Sequence, residues 1–144
     1  MMDVRGLLKQ VYREVGTLEL LRCQRALVLE DNAGMKAIQY ESEKVCGGRQ
    51  SDLSEVMENI ERQVKRLDMM IAKQFENIMA HREEAYKLLE RIPESPGKSA
   101  VQVHYLYRVP WDEIANRLYY TSDYVRQLSR ECIEELQRIC DAEM

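Results

Sequence analysis

Apolar residues recur at steps of three and four along the first thirty positions. Val4, Leu7, Leu8, Val11, Tyr12, Val15, Leu18, Leu21 and Val28 fall on this pattern, which predicts an amphipathic helix over residues 3–30. Gly6 and Gly16 lie inside it, each weakening it by ~1 kcal/mol relative to Ala. Asp31-Asn32-Ala33-Gly34 has the composition of a helix end. Residues 35–51 then read as irregular, with a break at Gly47-Gly48 and with Ile38, Tyr40 and Val45 available to tuck against helices. Ser51-Asp52 suits the N-cap of the next element.

That element is the longest in the chain. A heptad seam runs through Leu53, Met57, Ile60, Val64, Leu67, Ile71, Gln74, Ile78, His81, Ala85, Leu88 and Ile92, with no Pro or Gly before Pro93. It predicts a coiled-coil-like helix over residues 52–92, ~60 Å long at 1.5 Å per residue. Gln74 and His81 form either a polar layer that sets register or the exposed edge of a drifting seam. Met69, Met70 and Met79 read as core or interface filler. A helix of this length needs a partner. Helix 3–30 is too short to cover it alone, so a homodimer through helix 52–92 is the simplest expected assembly. The alternatives are that the C-terminal unit folds back on the seam or that a partner protein supplies the missing surface.

Pro93-Glu94-Ser95-Pro96-Gly97 marks a boundary. The chain divides on this reading into a helical hairpin at 1–92, a linker at 93–97 and a compact unit at 98–144. Three short helices are expected in that unit. The first spans Ser99–Arg108, with Val101, Val103, Leu106 and Tyr107 available for burial. The second opens with Pro110 as its first residue and runs to Leu118. The third is capped by Thr121 or Ser122 and continues to about Cys140. The fold class is all-α: an N-terminal helix, a long coiled-coil-like helix and a C-terminal helix-turn-helix.

The second and third helices carry the candidate chemistry. Two helices crossing steeply through a three-residue turn need a small residue where their backbones meet, and Ala115 supplies it. Ile114, Leu118, Tyr120, Val125 and Leu128 are placed to seal the crossing. The turn position at Tyr119 wants a positive φ, which Gly adopts most easily, so a Tyr there implies a modified turn or some strain. Thr121, Ser122, Asp123, Tyr124, Arg126, Gln127 and Arg130 then form the outward, DNA-facing set. Arg reads guanine and Gln reads adenine in the major groove. Thr121 and Ser122 at a helix start suit a phosphate.

Charge limits how such a site could work. The net charge is −4, and no third of the chain is basic: residues 1–50 carry 8 basic and 7 acidic groups, 51–97 carry 7 and 10, and 98–144 carry 6 and 8. DNA binding must therefore rest on the local placement of a few cations. Cys23, Cys46, Cys132 and Cys140 lack CxxC spacing and only His81 and His104 are present, so no metal site is expected. Cys132 and Cys140 read as core-facing thiols of a cytoplasmic protein. No apolar run approaches a membrane span, no signal peptide is evident, and no nucleotide loop or catalytic set stands out. An enzyme and a cofactor are not expected.

The segment Val103-His104-Tyr105-Leu106-Tyr107, then Val109 to Ala115 with Leu118, then Thr121 to Leu128, resembles region 4 of bacterial sigma factors. That resemblance covers about 40 residues. It implies that Arg126 and Gln127 contact bases, that Thr121 contacts a phosphate, and that RNA polymerase is a further partner, the one that would supply the missing surface of helix 52–92 in place of a second copy. The longer layout, including Tyr40-Glu41-Ser42-Glu43-Lys44-Val45, is similar to phage late-gene regulators of the ArpU and RinA kind. The expectation is a transcription regulator that binds double-stranded DNA in a bacterial host. Two alternatives stand beside it: a phage DNA-packaging recognition subunit, and an adaptor whose helix-turn-helix contacts only protein.

Overall fold

A computed structural model describes residues 3–45 and 50–143, with side chains for 3–34 and 53–143. Five helices and no strand are present among the described residues: α1 (Val4–Val45), α2 (Gln50–Leu89), α3 (Pro96–Tyr107), α4 (Trp111–Leu118) and α5 (Ser122–Ala142). Among the described residues no helix is long and apolar enough to cross a membrane. The chain parts into two compact units. One comprises Met1–Thr17 with Glu76–Met144, the other Leu18–Phe75. The boundary thus cuts through the long helices and not through residues 93–97.

Helix α1 departs from expectation. It does not end at residues 31–34 but continues to Val45, through the stretch expected to be irregular. Gly34 costs ~1 kcal/mol in a helix, whereas Ala33, Met35, Lys36 and Ala37 are favourable formers, and extending an existing helix needs no new nucleus. The Gly47-Gly48 break lies outside the described residues. Helix α2 starts at Gln50, so Ser51 and Asp52 are its second and third residues and not its cap. It closes at Leu89 instead of Ile92, in a turn whose amides at Arg91 and Ile92 bond to the carbonyls of Leu88 and Leu89.

In the first unit, Asp3 caps α1, its carboxylate accepting from the Gly6 amide at 3.1 Å. The Val4 amide donates to Gln137 Oε1 at 2.9 Å, tying the start of α1 to α5. Val4, Leu8, Val11 and Val15 are buried, as are Ile78, Ala85, Leu88 and Leu89 from α2. His81 Nδ1 meets Glu14 Oε1 at 2.6 Å, so this seam position is a polar contact with α1. In the second unit the remaining seam residues of α2 are mostly half-buried, and Arg25 pairs with Asp68 at 2.5 Å. Met69, Met70 and Met79 are at least 47% exposed and fill no core.

The proline–glycine stretch is partly helix. Pro96 is the first residue of α3, capped by Ser95, whose hydroxyl accepts from the Lys98 amide at 3.1 Å. Gly97 is buried, and a Cβ there would meet the Leu128 carbonyl oxygen at 2.8 Å. This glycine therefore permits the close approach of α3 and α5 and belongs to a helix, not to the linker expected at 93–97. Lys98 is buried as well. Its ammonium donates to the Ile92 carbonyl at 3.2 Å and to Glu94 at 2.8 Å, closing the corner after α2.

Candidate nucleic-acid interface

Helices α3, α4 and α5 all touch one another. Ala100, Ile114, Ala115 and Val125 form the cluster at their centre, with Val109, Trp111 and Leu118 packed against it. Ala115 is 2% exposed, as a helix crossing requires. Tyr120 is 40% exposed and does not seal the crossing; its ring packs edge-on against Tyr124, with centroids 5.0 Å apart. Val103 and Tyr107 also face outward, while Val101 and Leu106 supply the buried face of α3.

The turn is not modified: it keeps a left-handed residue, with Tyr where Gly fits most easily. Tyr119 adopts φ 60° and ψ 37°, the left-handed region, and closes α4. The Tyr120 amide reaches back to the Ala115 carbonyl at 3.0 Å. Pro110 is the N-cap of α4 and not its first residue. Thr121 caps α5, its hydroxyl oxygen accepting from the Tyr124 amide at 3.2 Å, which leaves its O–H as a donor. Ser122 donates to Asp112 Oδ1 at 2.5 Å and ties the two helix starts together.

The expected outward residues lie on or beside one exposed face of α5. Asp123, Arg126, Gln127 and Arg130 border a shallow groove together with Glu131 and Glu134. Gln127 donates to Glu131 at 3.2 Å, and Arg126 lies 3.6 Å from Asp123. Two cations and one amide thus share the face with three carboxylates. That mixture can hydrogen-bond base edges, but it gives no net attraction for phosphate. Thr121 and Tyr124 are exposed at the start of the helix, and Ser122 is half-buried beside them.

Behind this face, His104 stacks on Trp111 with ring centroids 3.7 Å apart and an interplanar angle of 18°. A carbonyl only accepts, so the 2.7 Å contact of His104 Nδ1 with the Val109 carbonyl places the proton on Nδ1. Burial holds this imidazole below its usual range. The Val109 bond opposes that shift, and the nearby Arg108 and Arg126 charges reinforce it. Arg108, at φ 61°, ends α3 and lays its guanidinium 4.4 Å over the Tyr12 ring while donating to the Tyr12 carbonyl. Sequence reading missed His104, Arg108 and Lys98 as structural residues. Only Lys98 carried a local signal, a Glu94 four positions earlier.

Cys132 and Cys140 are buried free thiols, and burial pushes the Cys132 thiol up to about 11. No group of three or more His, Cys, Asp or Glu suited to a metal is present among the described residues. No protein-family model matches this chain, and no curated protein or solved structure matches it significantly.

Proposed function

We propose that this chain is a sequence-specific DNA-binding transcription regulator that reads double-stranded DNA with residues 122–140. The observation that carries the reading is the combination at α4 and α5. A left-handed turn residue at Tyr119 and a Thr121 cap precede a helix whose exposed first turns offer Arg126, Gln127 and Arg130. The resemblance to sigma region 4 adds RNA polymerase as a second partner and phage or prophage late genes as the setting, in the cytoplasm of a bacterial host. The half-buried seam of α2 supports a homodimer in which two α5 helices reach linked half-sites.

The test is genome-wide mapping of bound DNA in such a host, followed by titration of the recovered site. Gln127→Ala and Arg130→Ala are each expected to cost ~1–3 kcal/mol on that site. Equal affinity of both variants and the parent would remove α5 as the reading element. Asp123, Glu131 and Glu134 on the same face favour a second reading, a protein-binding adaptor. That reading gains if no DNA is enriched.

A further inference from the structure

The first unit contains a cleft of about 240 Å³ between the start of α1, α3, the start of α4 and the flank of α5. Arg5 and Lys9 line it from α1, and Arg126 and Arg130 from α5. Four cations drawn from segments more than a hundred residues apart thus converge within a chain of net charge −4. No carboxylate lines the cleft. Among the described residues, Arg5, Lys9 and Arg130 form no ion pair, and Arg126 reaches only Asp123, itself fully open to solvent at 97% side-chain exposure. Concentrating like charge without a counter-ion is costly, and a bound anion would relieve it.

A second, independent feature points the same way. Ser129 lines the cleft and is 2% exposed, yet its hydroxyl has no hydrogen-bond partner. A buried hydroxyl without a partner is destabilising, and buried polar groups are normally satisfied. Tyr105 and Trp111 complete the wall and Ile133 lies beside Ser129 on α5. Guanidinium groups in a shallow, half-open recess suit a tetrahedral oxyanion with several acceptor oxygens, which they bind bidentately.

We propose that this cleft is a phosphate-binding site, occupied by a backbone phosphate when DNA lies along α5. Arg126 borders both the cleft and the α5 groove, so the phosphate would sit directly beside the reading face. The cleft supplies the local basic surface that the mixed face of α5 lacks. The choice of DNA as the source of the phosphate rests on the proposed function, whereas the phosphate chemistry does not.

Trp111 is the chain's single tryptophan and lines the cleft, so its emission reports occupancy. The full chain is titrated with pyrophosphate at constant ionic strength, and separately with random-sequence duplex DNA at several salt concentrations. Arg5 and Lys9 are exposed, so Arg5→Gln/Lys9→Gln leaves the core intact, which a thermal melt checks. We expect a saturable Trp111 response to pyrophosphate that the double variant loses. The slope of log affinity against log salt for DNA should become shallower by about one to two. A pyrophosphate response combined with an unchanged DNA slope keeps the site and reassigns its source to a free phosphorylated ligand. Failure to bind any duplex sinks the DNA reading alone. No saturable pyrophosphate response, together with an unchanged DNA slope, overturns the site.

Discussion

The two units are built partly from the same two helices, yet their interiors differ. In the unit of residues 1–17 and 76–144, Leu8, Val11, Ile78, Leu89, Leu106 and Leu136 are all at 1% exposure or less. Among the described residues of the unit 18–75 the best-covered side chains are Leu18, Leu21 and Ile60, at 4%, 9% and 8%. Leu20, Leu27 and Met69 there are more than half exposed. The heptad seam is equally regular in both, so pattern is not the cause. Two helices meet along a line, and each seam residue keeps one flank in water. Helices α3, α4 and α5 close that flank in the first unit only. A seam read from sequence therefore predicts direction of burial, and the number of neighbours sets its depth.

Truncating a leucine in each unit gives the strongest test of this contrast. Leu106→Ala should cost ~2–5 kcal/mol because the cavity cannot be filled by solvent. Leu67→Ala, on the half-buried seam, should cost roughly 1 kcal/mol, scaled to the smaller area withdrawn from water. Urea unfolding followed by circular dichroism measures both. Comparable losses at the two positions would show that unit 18–75 is as well covered as the first, through a second copy of the chain.

A smaller effect is expected at Gly97. Alanine is the better helix former, so propensity alone favours Gly97→Ala. Its Cβ would press on the Leu128 carbonyl, which is backbone and cannot swing aside. The net expectation is a loss of ~1–3 kcal/mol from overpacking. A gain in melting temperature would mean that α3 and α5 separate freely, and the closed core of the first unit would be in doubt.

The smallest effect is on pH dependence, and it should be confined to the first unit. His104 binds its proton less readily in the folded chain than in the unfolded one, chiefly through burial. Stability from this site is therefore complete above the unfolded value of ~6.5 and is lost as pH falls below it. Protonation would leave a buried imidazolium stacked on Trp111, so Trp111 fluorescence follows the transition directly. His104→Gln should flatten the change in melting temperature between pH 7.5 and 5.5. Identical pH profiles for parent and variant would place the titrating group elsewhere.

How much of this was legible depends on how local the cause was. The α2 seam was legible because period 3.5 is written into consecutive residues, and every seam position that is described is at least half-buried. The left-handed position was legible because the turn itself demands it, whereas Tyr119 pointed to a modified turn and yet adopts the ordinary left-handed conformation. Helix ends were less so. Gly34 and Pro96-Gly97 look alike as breakers, yet the first lies within α1 and the second opens α3. A glycine tolerated for want of an alternative and a glycine required by Leu128 have the same letter. The cleft was not legible at all, since no local pattern links Arg5 and Lys9 to Arg126 and Arg130. Tertiary packing alone brings them together.

That convergence has a kinetic side. A chain of net charge −4 that gathers four unneutralised or weakly paired cations at one recess is electrically lopsided. A polyanion approaching from most headings is repelled, and one approaching the recess is drawn in. For the DNA partner proposed above, the acidic remainder would act as a filter on orientation, discarding unproductive collisions before contact. Charge of this kind selects how partners meet, and lowering the salt should sharpen that selection more than it tightens the final grip.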